Sequence, residues 1–500
     1  MLFLPVVLAG FFILGRRSPP MAAGWLALAS LFFYGWWNPK YVLLLLASMV
    51  FNYHAGTVIL RARDAGRPTK ALLAGAIVAD LALLAYYKYA NFFLDNANAL
   101  LGTQASLGEI ILPLGISFFT FTQIAWLVDA SQGKAREAGF IHYALFVTWF
   151  PHLIAGPILH HAEMMPQFAR RETYAVNTTN LAAGLTLLVL GLAKKVLIAD
   201  GVGAYAPPFF DAARAGTTLT FVEAWSGALA YTFQLYFDFS AYSDMAIGLS
   251  LMFGIRLPLN FNSPYKALNI VDFWRRWHMT LSRFLRDYLY VPLGGNRKGA
   301  ARRYANLLIT MLLGGLWHGA GWTFVLWGAL HGAYLCVNHA WHALGLAWQG
   351  AWWRWSARII TFIAVVIGWV VFRADNLDAA RMMLQGMVGL NGFALPDHWL
   401  PKWGALGATL AAHGVSFSDA RGLVTAGLMY WIVILLAVVW CAPNTQEIMS
   451  RTRPALETVT TAQRWWSWRA SPWLAAPLAV LALVVVVNLH KKSEFLYFQF

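Results

Sequence analysis

The chain is poor in charge and almost without cysteine. Only 12% of its 500 residues are Asp, Glu, Lys or Arg, about half the share typical of a soluble protein, while 59% are hydrophobic. So few charges cannot cover so much apolar surface in water. A string of soluble domains is therefore excluded and a polytopic membrane protein is expected. Cys336 and Cys441 supply neither a disulfide framework nor metal-ligand spacing. Both lie in apolar runs and read as small buried hydrophobes. The histidines show no zinc spacing, and acids near them are too few to orient ligands, so no metal site is expected. Long-period repeats, low-complexity segments and Gly/Ser linkers are all missing, which leaves one membrane domain over 1–500. The opening MLFLPVVLAGFFILGRR has no charged n-region and reads as a retained span.

The charge that is present is basic, with a formal net of +15. The basic residues sit in short loops between apolar runs, the pattern of the positive-inside bias, so no nucleic-acid partner is expected. Apolar stretches run near 2–15, 21–37, 41–60, 71–90, 110–128, 181–199, 219–236, 238–255, 304–317, 322–343, 357–373, 424–441 and 472–489. With roughly 17 to 25 residues needed per crossing, they give about eleven crossings. The stretch 141–159, with Pro151 and Pro157, reads as re-entrant or broken. Basic loops at Arg16–Arg17, Arg61–Lys70, Lys134–Arg136 and Arg170–Arg171 mark the cytoplasmic side and place the N-terminus outside. Arg451, Arg453, Arg464 and Arg469 put 443–471 inside, so the tail HKKSEFLYFQF emerges outside. Termini on one side need an even number of crossings, at odds with eleven. Residues 1–110 form the N-terminal helices, 110–343 the core, and 344–500 the C-terminal helices with an extracytoplasmic insertion at 374–420. Within that insertion Ala374–Met387 reads as an amphipathic helix started by an Asp/Asn cap. It lies on the outer surface, receives a partner protein, or is a solvated helix capping the loop.

Three stretches carry candidate chemistry. In YTFQLYFDFSAYSDMAIG, residues Tyr231, Gln234, Asp238 and Tyr242 share one helical face. Polar groups inside a span mark a cavity or serve as interhelical glue; Gln234, Tyr236, Asp238 and Ser240 are the candidates here. Asp80, alone in its span, reads as structural. The second stretch is Asn269–Leu289. Read as one helix, it places Arg275, Arg286, Arg283 and Arg276 on one arc, opposite an aromatic face, with His278 on the flank. Such an arc either contacts lipid phosphates or holds an anionic substrate through the planar guanidinium fork. Arg297 and Lys298 in the following GGNRKG loop add charge, although the loop matches no P-loop pattern.

The third stretch is GGLWHGAGWTF, where His318 stands among glycines with nothing ionic nearby in sequence. An imidazole buried there is costly to charge and stays neutral, the state a general base needs. Flanking glycines permit irregular backbone lining a cavity. The alternative is a hydrogen-bonded structural histidine. His331, thirteen residues on, falls about 220° round on one continuous helix and does not share that face. It reads as structural or supporting. His160, His161, His339 and His342 read as interface residues.

At PLGISFFTFTQ (113–123), QLYFDFSAYSDMAIG (234–248), FNSPYKALNIVDFWRRWHMTLSRFLRDYLYVPLGGNRKG (261–299), GLWHGAGWTFVLWGALHG (315–332) and the tail FLYFQF, the sequence resembles the membrane-bound O-acyltransferase superfamily, bacterial alginate O-acetyltransferase type. The resemblance implies an all-α fold of about eleven crossing helices with re-entrant pieces around a central tunnel. It implies His318 as the signature histidine and His278, forty residues earlier, as the second catalytic position. Trp317 and His331 join the polar candidates along the tunnel. It further implies acetyl-CoA as a cytoplasmic acyl-donor substrate with no tightly bound cofactor, and a bacterial inner-membrane location among lipid. The acetyl group would pass outward to extracytoplasmic partner enzymes acting on a polysaccharide such as alginate, in association with a polysaccharide synthase complex. D-alanyl transfer to a cell-wall polymer is the nearest alternative. A transporter or flippase would show an internal repeat of spans, which is missing. A lipid-linked glycosyltransferase would show catalytic acids where this chain has Arg and His.

Overall fold

The computed structural model describes residues 2–136, 139–346, 350–413, 415–418, 421–459, 464–489 and 495–496. The described residues are mostly helical; among them two two-residue strands, Ala394–Leu395 and Ser416–Phe417, pair in parallel within the 374–420 insertion. Large apolar side chains such as Trp36, Leu43, Val78, Tyr430 and Leu483 point outward. A surface this apolar belongs in lipid rather than water. Among the described residues, four helices are long and apolar enough to cross a bilayer by themselves: Pro39–Asp64, Lys70–Leu101, Thr178–Arg214 and Ala351–Arg373. Most of the tail 490–500, on which the expected extracytoplasmic C-terminus falls, lies outside the described residues.

The molecule is built around the Phe221–Met252 helix. Thr220 and Glu223 close a reciprocal capping box at its start, satisfying two of the free N–H groups there. No proline or glycine interrupts residues 228–247, so the two spans expected at 219–236 and 238–255 merge into one 32-residue helix. It packs on Thr178–Ala193 through small residues. A Cβ on Gly184 would lie 2.5 Å from the Gly248 carbonyl oxygen, and one on Gly248 would lie 2.6 Å from that of Gly184. Close backbone approach of this kind is how helices associate where lipid removes the hydrophobic drive. Beyond that contact a π-bulge over Lys194–Ala199 turns two lysines toward the acids of the long helix. Lys194 pairs with Asp244 at 2.6 Å, and Lys195 with Asp238 at 2.7 Å and Asp200 at 2.8 Å. Charges inside a membrane bundle pair in this way because lipid offers no other solvation.

Several sequence expectations hold and several are corrected. The Phe140–Thr148 helix stops before Pro151, and the non-helical stretch to His160 is buried in protein, as a broken segment requires. Asn376 caps Leu377–Met387 as expected, and that helix buries Ala379, Met383 and Gly386. Asp80 is structural, accepting from Asn52 Nδ2 at 2.7 Å. Cys441 is exposed and Cys336 only half-buried, so neither is the buried hydrophobe expected. His161 is buried and His160 packs on Tyr288, so this pair is internal rather than interfacial.

The arginine helix is the largest correction. Asn269–Leu289 is not continuous: Ile270–Trp274 ends, His278 takes a left-handed conformation (φ 42°, ψ 53°), Met279–Leu285 follows, and a π-bulge spans Arg286–Tyr290. The neighbouring segment takes over the hydrogen bonds a helix would make here. Asn262 N–H donates to the Arg276 carbonyl at 2.9 Å, and Met279 N–H to the Asn260 carbonyl at 3.0 Å. The four arginines therefore share no single arc. Periodicity could not reveal this, because the break is made by residues 260–262, outside the repeat.

Candidate active site

His318 is the last residue of the Gly299–His318 helix, and it is buried. Gly319–Gly321 then break the chain before Trp322–Ala343 begins. The glycine at 319 is required for space: a Cβ there would sit 2.1 Å from the Phe324 ring. The two helices cross closely at Gly315 and Gly328, where a Cβ would approach Phe324 and Met311 carbonyl oxygens to 2.2 and 2.3 Å. The break also moves His331. It lies on the second helix, and both imidazoles pack on Trp327, at 5.1 Å for His318 and 4.8 Å for His331. The continuous-helix geometry expected for this pair does not occur.

The last carbonyls of a helix have no partner of their own. Here a π-bulge at Ala85–Tyr89 supplies them. Lys88 Nζ donates to the carbonyl oxygens of Trp317 at 2.6 Å and His318 at 2.8 Å, and Tyr89 Oη to that of Leu316 at 2.7 Å. A cation at a helix C-terminus also suits the macrodipole. Lys88 escaped the sequence reading, although an isolated lysine in an apolar span is itself a functional signal.

His278, also buried, occupies the left-handed kink, a conformation uncommon outside glycine and concentrated at functional sites. Its Nδ1 lies 3.0 Å from Asn260 Oδ1. That amide atom is the oxygen, because Thr280 N–H and Thr280 Oγ1 also point at it, at 3.4 and 3.0 Å. An oxygen can only accept, so Nδ1 carries the proton and Nε2 presents a lone pair. Nε2 has no hydrogen-bond partner among the described residues. Asn260 was also missed by the sequence reading; it lies immediately before the matched block at 261–299.

The segment carrying His278 separates two cavities. On one side Trp274, Arg275, Thr280, Arg283 and Arg286 line a cavity of about 530 Å³, which His339 also borders. On the other, Trp277 joins Asp238, Phe239, Tyr242, His318 and Trp369 around an apolar chamber of about 20 Å³. Trp317 bridges the two histidines, its ring 4.9 Å from His318 and 6.1 Å from His278. Phe239 closes on His278 at 4.7 Å and also lines the chamber.

The remaining candidates divide. Arg275, Arg283 and Arg286 share the larger cavity, whereas Arg276 turns away to Asp272 at 2.8 Å. Arg283 is held by Glu163 through two bonds of 2.7 and 2.9 Å, and Arg286 by Asp287 at 2.7 Å. Arg297 and Lys298 are exposed and line neither cavity. Of the polar stripe only Asp238 and Tyr242 reach the chamber. Gln234 packs toward Gly203, Tyr236 packs edge-on against Tyr265 and tilted against Trp277, and Ser240 accepts from Lys194 at 3.0 Å. They support the chamber from behind. His331 is enclosed by Phe273, Trp274, Trp327 and Trp369 and lines neither cavity. No cluster of three metal-ligating side chains occurs among the described residues.

Fold and site together define an integral membrane protein with a histidine-centred internal chamber backed by a basic cavity. The family model for membrane-bound O-acyltransferases matches residues 31–377. The chain is 48% identical over 420 residues to a peptidoglycan O-acetyltransferase of Helicobacter pylori, covering 79% of each chain. It is 45% identical over 401 residues to a probable alginate O-acetylase of Pseudomonas aeruginosa, covering 79% of this chain and 75% of that one. A teichoic acid D-alanyltransferase of Bacillus subtilis is 29% identical over 277 residues, 53% of this chain. The chain belongs to the membrane-bound O-acyltransferase family and is an acyltransferase.

Proposed function

We propose that this protein transfers acetyl groups from cytoplasmic acetyl-CoA to the hydroxyls of an extracytoplasmic polysaccharide, of the alginate or peptidoglycan kind, by way of partner enzymes on the outer face of a bacterial inner membrane. The observation that carries the reading is the pair of cavities back to back on the His278 segment, one basic and one apolar with His318. Relatives above 40% identity are named for O-acetylation of two different polymers, so the acetyl group is better supported than the polymer.

In this reading the coenzyme A phosphates lie against Arg275, Arg283 and Arg286, whose planar forks suit phosphate oxygens. The thioester reaches past Trp274 and Trp277 toward His318. His318 removes the proton from the acceptor hydroxyl, whose oxygen bonds to the acetyl carbon as the C–S bond breaks, and His318 then passes that proton to the leaving sulfur, which departs as the free thiol. His278 presents Nε2 as an acceptor and orients the acceptor molecule through a second donor, such as a neighbouring hydroxyl, since its own only ring proton is committed to Asn260 and the reacting hydroxyl's one proton goes to His318. A dry chamber strengthens both interactions and keeps water from the thioester.

The donor is tested with purified protein in liposomes, offered either acetyl-CoA or an acylated carrier protein. Saturable coenzyme A release with acetyl-CoA supports the reading. Turnover with the carrier protein alone contradicts it and favours the D-alanyl-type alternative.

A further inference from the structure

Phe495 and Leu496 sit inside the bundle, although the sequence places the tail that holds them outside the membrane. Leu496 is buried, and its amide donates to Asp238 Oδ2 at 3.0 Å. Lys195, paired with the other oxygen of Asp238 at 2.7 Å, lies 4.8 Å from the centre of the Phe495 ring. Tyr242 meets that ring edge-on at 5.2 Å. The carboxylate thus takes an amide of this segment while the ammonium faces its aromatic ring, a favourable cation–π contact. Asp200 already neutralises Lys195 at 2.8 Å, so charge balance alone does not call for Asp238.

The position of the segment is informative. Phe495 and Leu496 line the His318 chamber and leave it about 20 Å³, room for about one water molecule. On its other side Phe495, again with Tyr242, lines an apolar groove of about 1260 Å³. That groove opens among Leu28, Phe32 and Trp36, which are exposed on the lipid-facing flank. Phe495 therefore belongs to both walls and partitions the chamber from lipid.

We propose that Phe495–Leu496 is a working wall of the reaction chamber, closing it against the lipid-facing groove, and that Asp238 and Lys195 are positioning residues that latch this wall. The proposal rests on the reading of His318 as the reacting base. Asp238, on this view, acts through the segment and does not touch substrate.

The test uses the full chain with Cys336→Ser and Cys441→Ser, so that Leu496→Cys carries the only thiol. A membrane-permeant maleimide labels Cys at 496 slowly while the latch is intact. Adding Asp238→Ala speeds labelling at least about tenfold, as loss of a hydrogen bond to a charged group implies; Lys195→Met does the same and Lys195→Arg restores the slow rate. With Leu496 native, Asp238→Ala lowers kcat for acetyl transfer and leaves the donor KM unchanged, since Asp238 is remote from the basic cavity. Phe495→Ala, which leaves the ion pairs and the bundle intact, gives the same kcat loss. Equal labelling with and without Asp238 overturns the proposal, as does faster labelling with undiminished transfer. Labelling requires no catalysis, so a latch that holds beside a fully active His318→Ala protein separates this proposal from the reading of the base.

Discussion

Lys88 reaches from the middle of an apolar helix to donate to the main-chain oxygen of His318 at 2.8 Å. A cation thereby fixes the end of the helix that carries the site histidine, together with the adjacent oxygen of Trp317 at 2.6 Å. Replacing Lys88 by Met strands two buried carbonyls, each worth about 1–3 kcal/mol when unsatisfied. We expect a lower unfolding temperature and acetyl transfer reduced about tenfold or more, with Lys88→Arg recovering part of both. Transfer rates and thermal unfolding on the same preparations check this; a Met variant of native activity would show that the contact is incidental.

Asn260 fixes the tautomer of His278 and holds the left-handed kink through Thr280. Asn260→Leu removes an acceptor shared by buried donors, a loss of roughly 1–3 kcal/mol, or about ten- to a hundredfold in rate if felt in the transition state. Asn260→Asp keeps the oxygen and retains more activity than Asn260→Leu. The ranking of the two variants is the readout.

Arg283, held by Glu163, faces the basic cavity. Arg283→Gln removes one phosphate-binding fork, and donor KM rises about tenfold while kcat changes by less than about twofold, the signature of uniform binding lost. Steady-state kinetics against acetyl-CoA concentration decide it. A fall in kcat at unchanged KM places Arg283 in another role.

Gly315 and Gly328 let the helices flanking His318 touch backbone to backbone. Gly315→Val overpacks that crossing, and such insertions typically cost about 1–3 kcal/mol. Thermal unfolding in detergent drops, while Gly75→Val, at a position with nothing within 4 Å, leaves it nearly unchanged.

How much of this was legible in the sequence depends on how far apart the partners lie. The apolar runs, the break before Pro151 and the Asn376 cap are local properties, and each was readable. His318 stood out because its glycines mark irregular backbone on their own. The arginine arc failed because Asn260 and Asn262, outside the helical repeat, replace its hydrogen bonds. Lys88 and His318 are 230 residues apart, and nothing in either neighbourhood announces the other. The long helix was split in two only because its length exceeds one crossing. Its acids found lysines that a π-bulge, invisible to a 3.6-residue period, turns toward them.

The central claim is that His318 is the base for acyl transfer. The direct measurement is acetyl transfer by purified His318→Ala protein at saturating acetyl-CoA, beside the parent chain and with unfolding temperatures compared. General-base catalysis contributes about a hundredfold or more, so we expect at least that loss of kcat in a protein that remains folded and still binds acetyl-CoA. A folded His318→Ala protein that transfers acetyl at the parent rate would contradict the account.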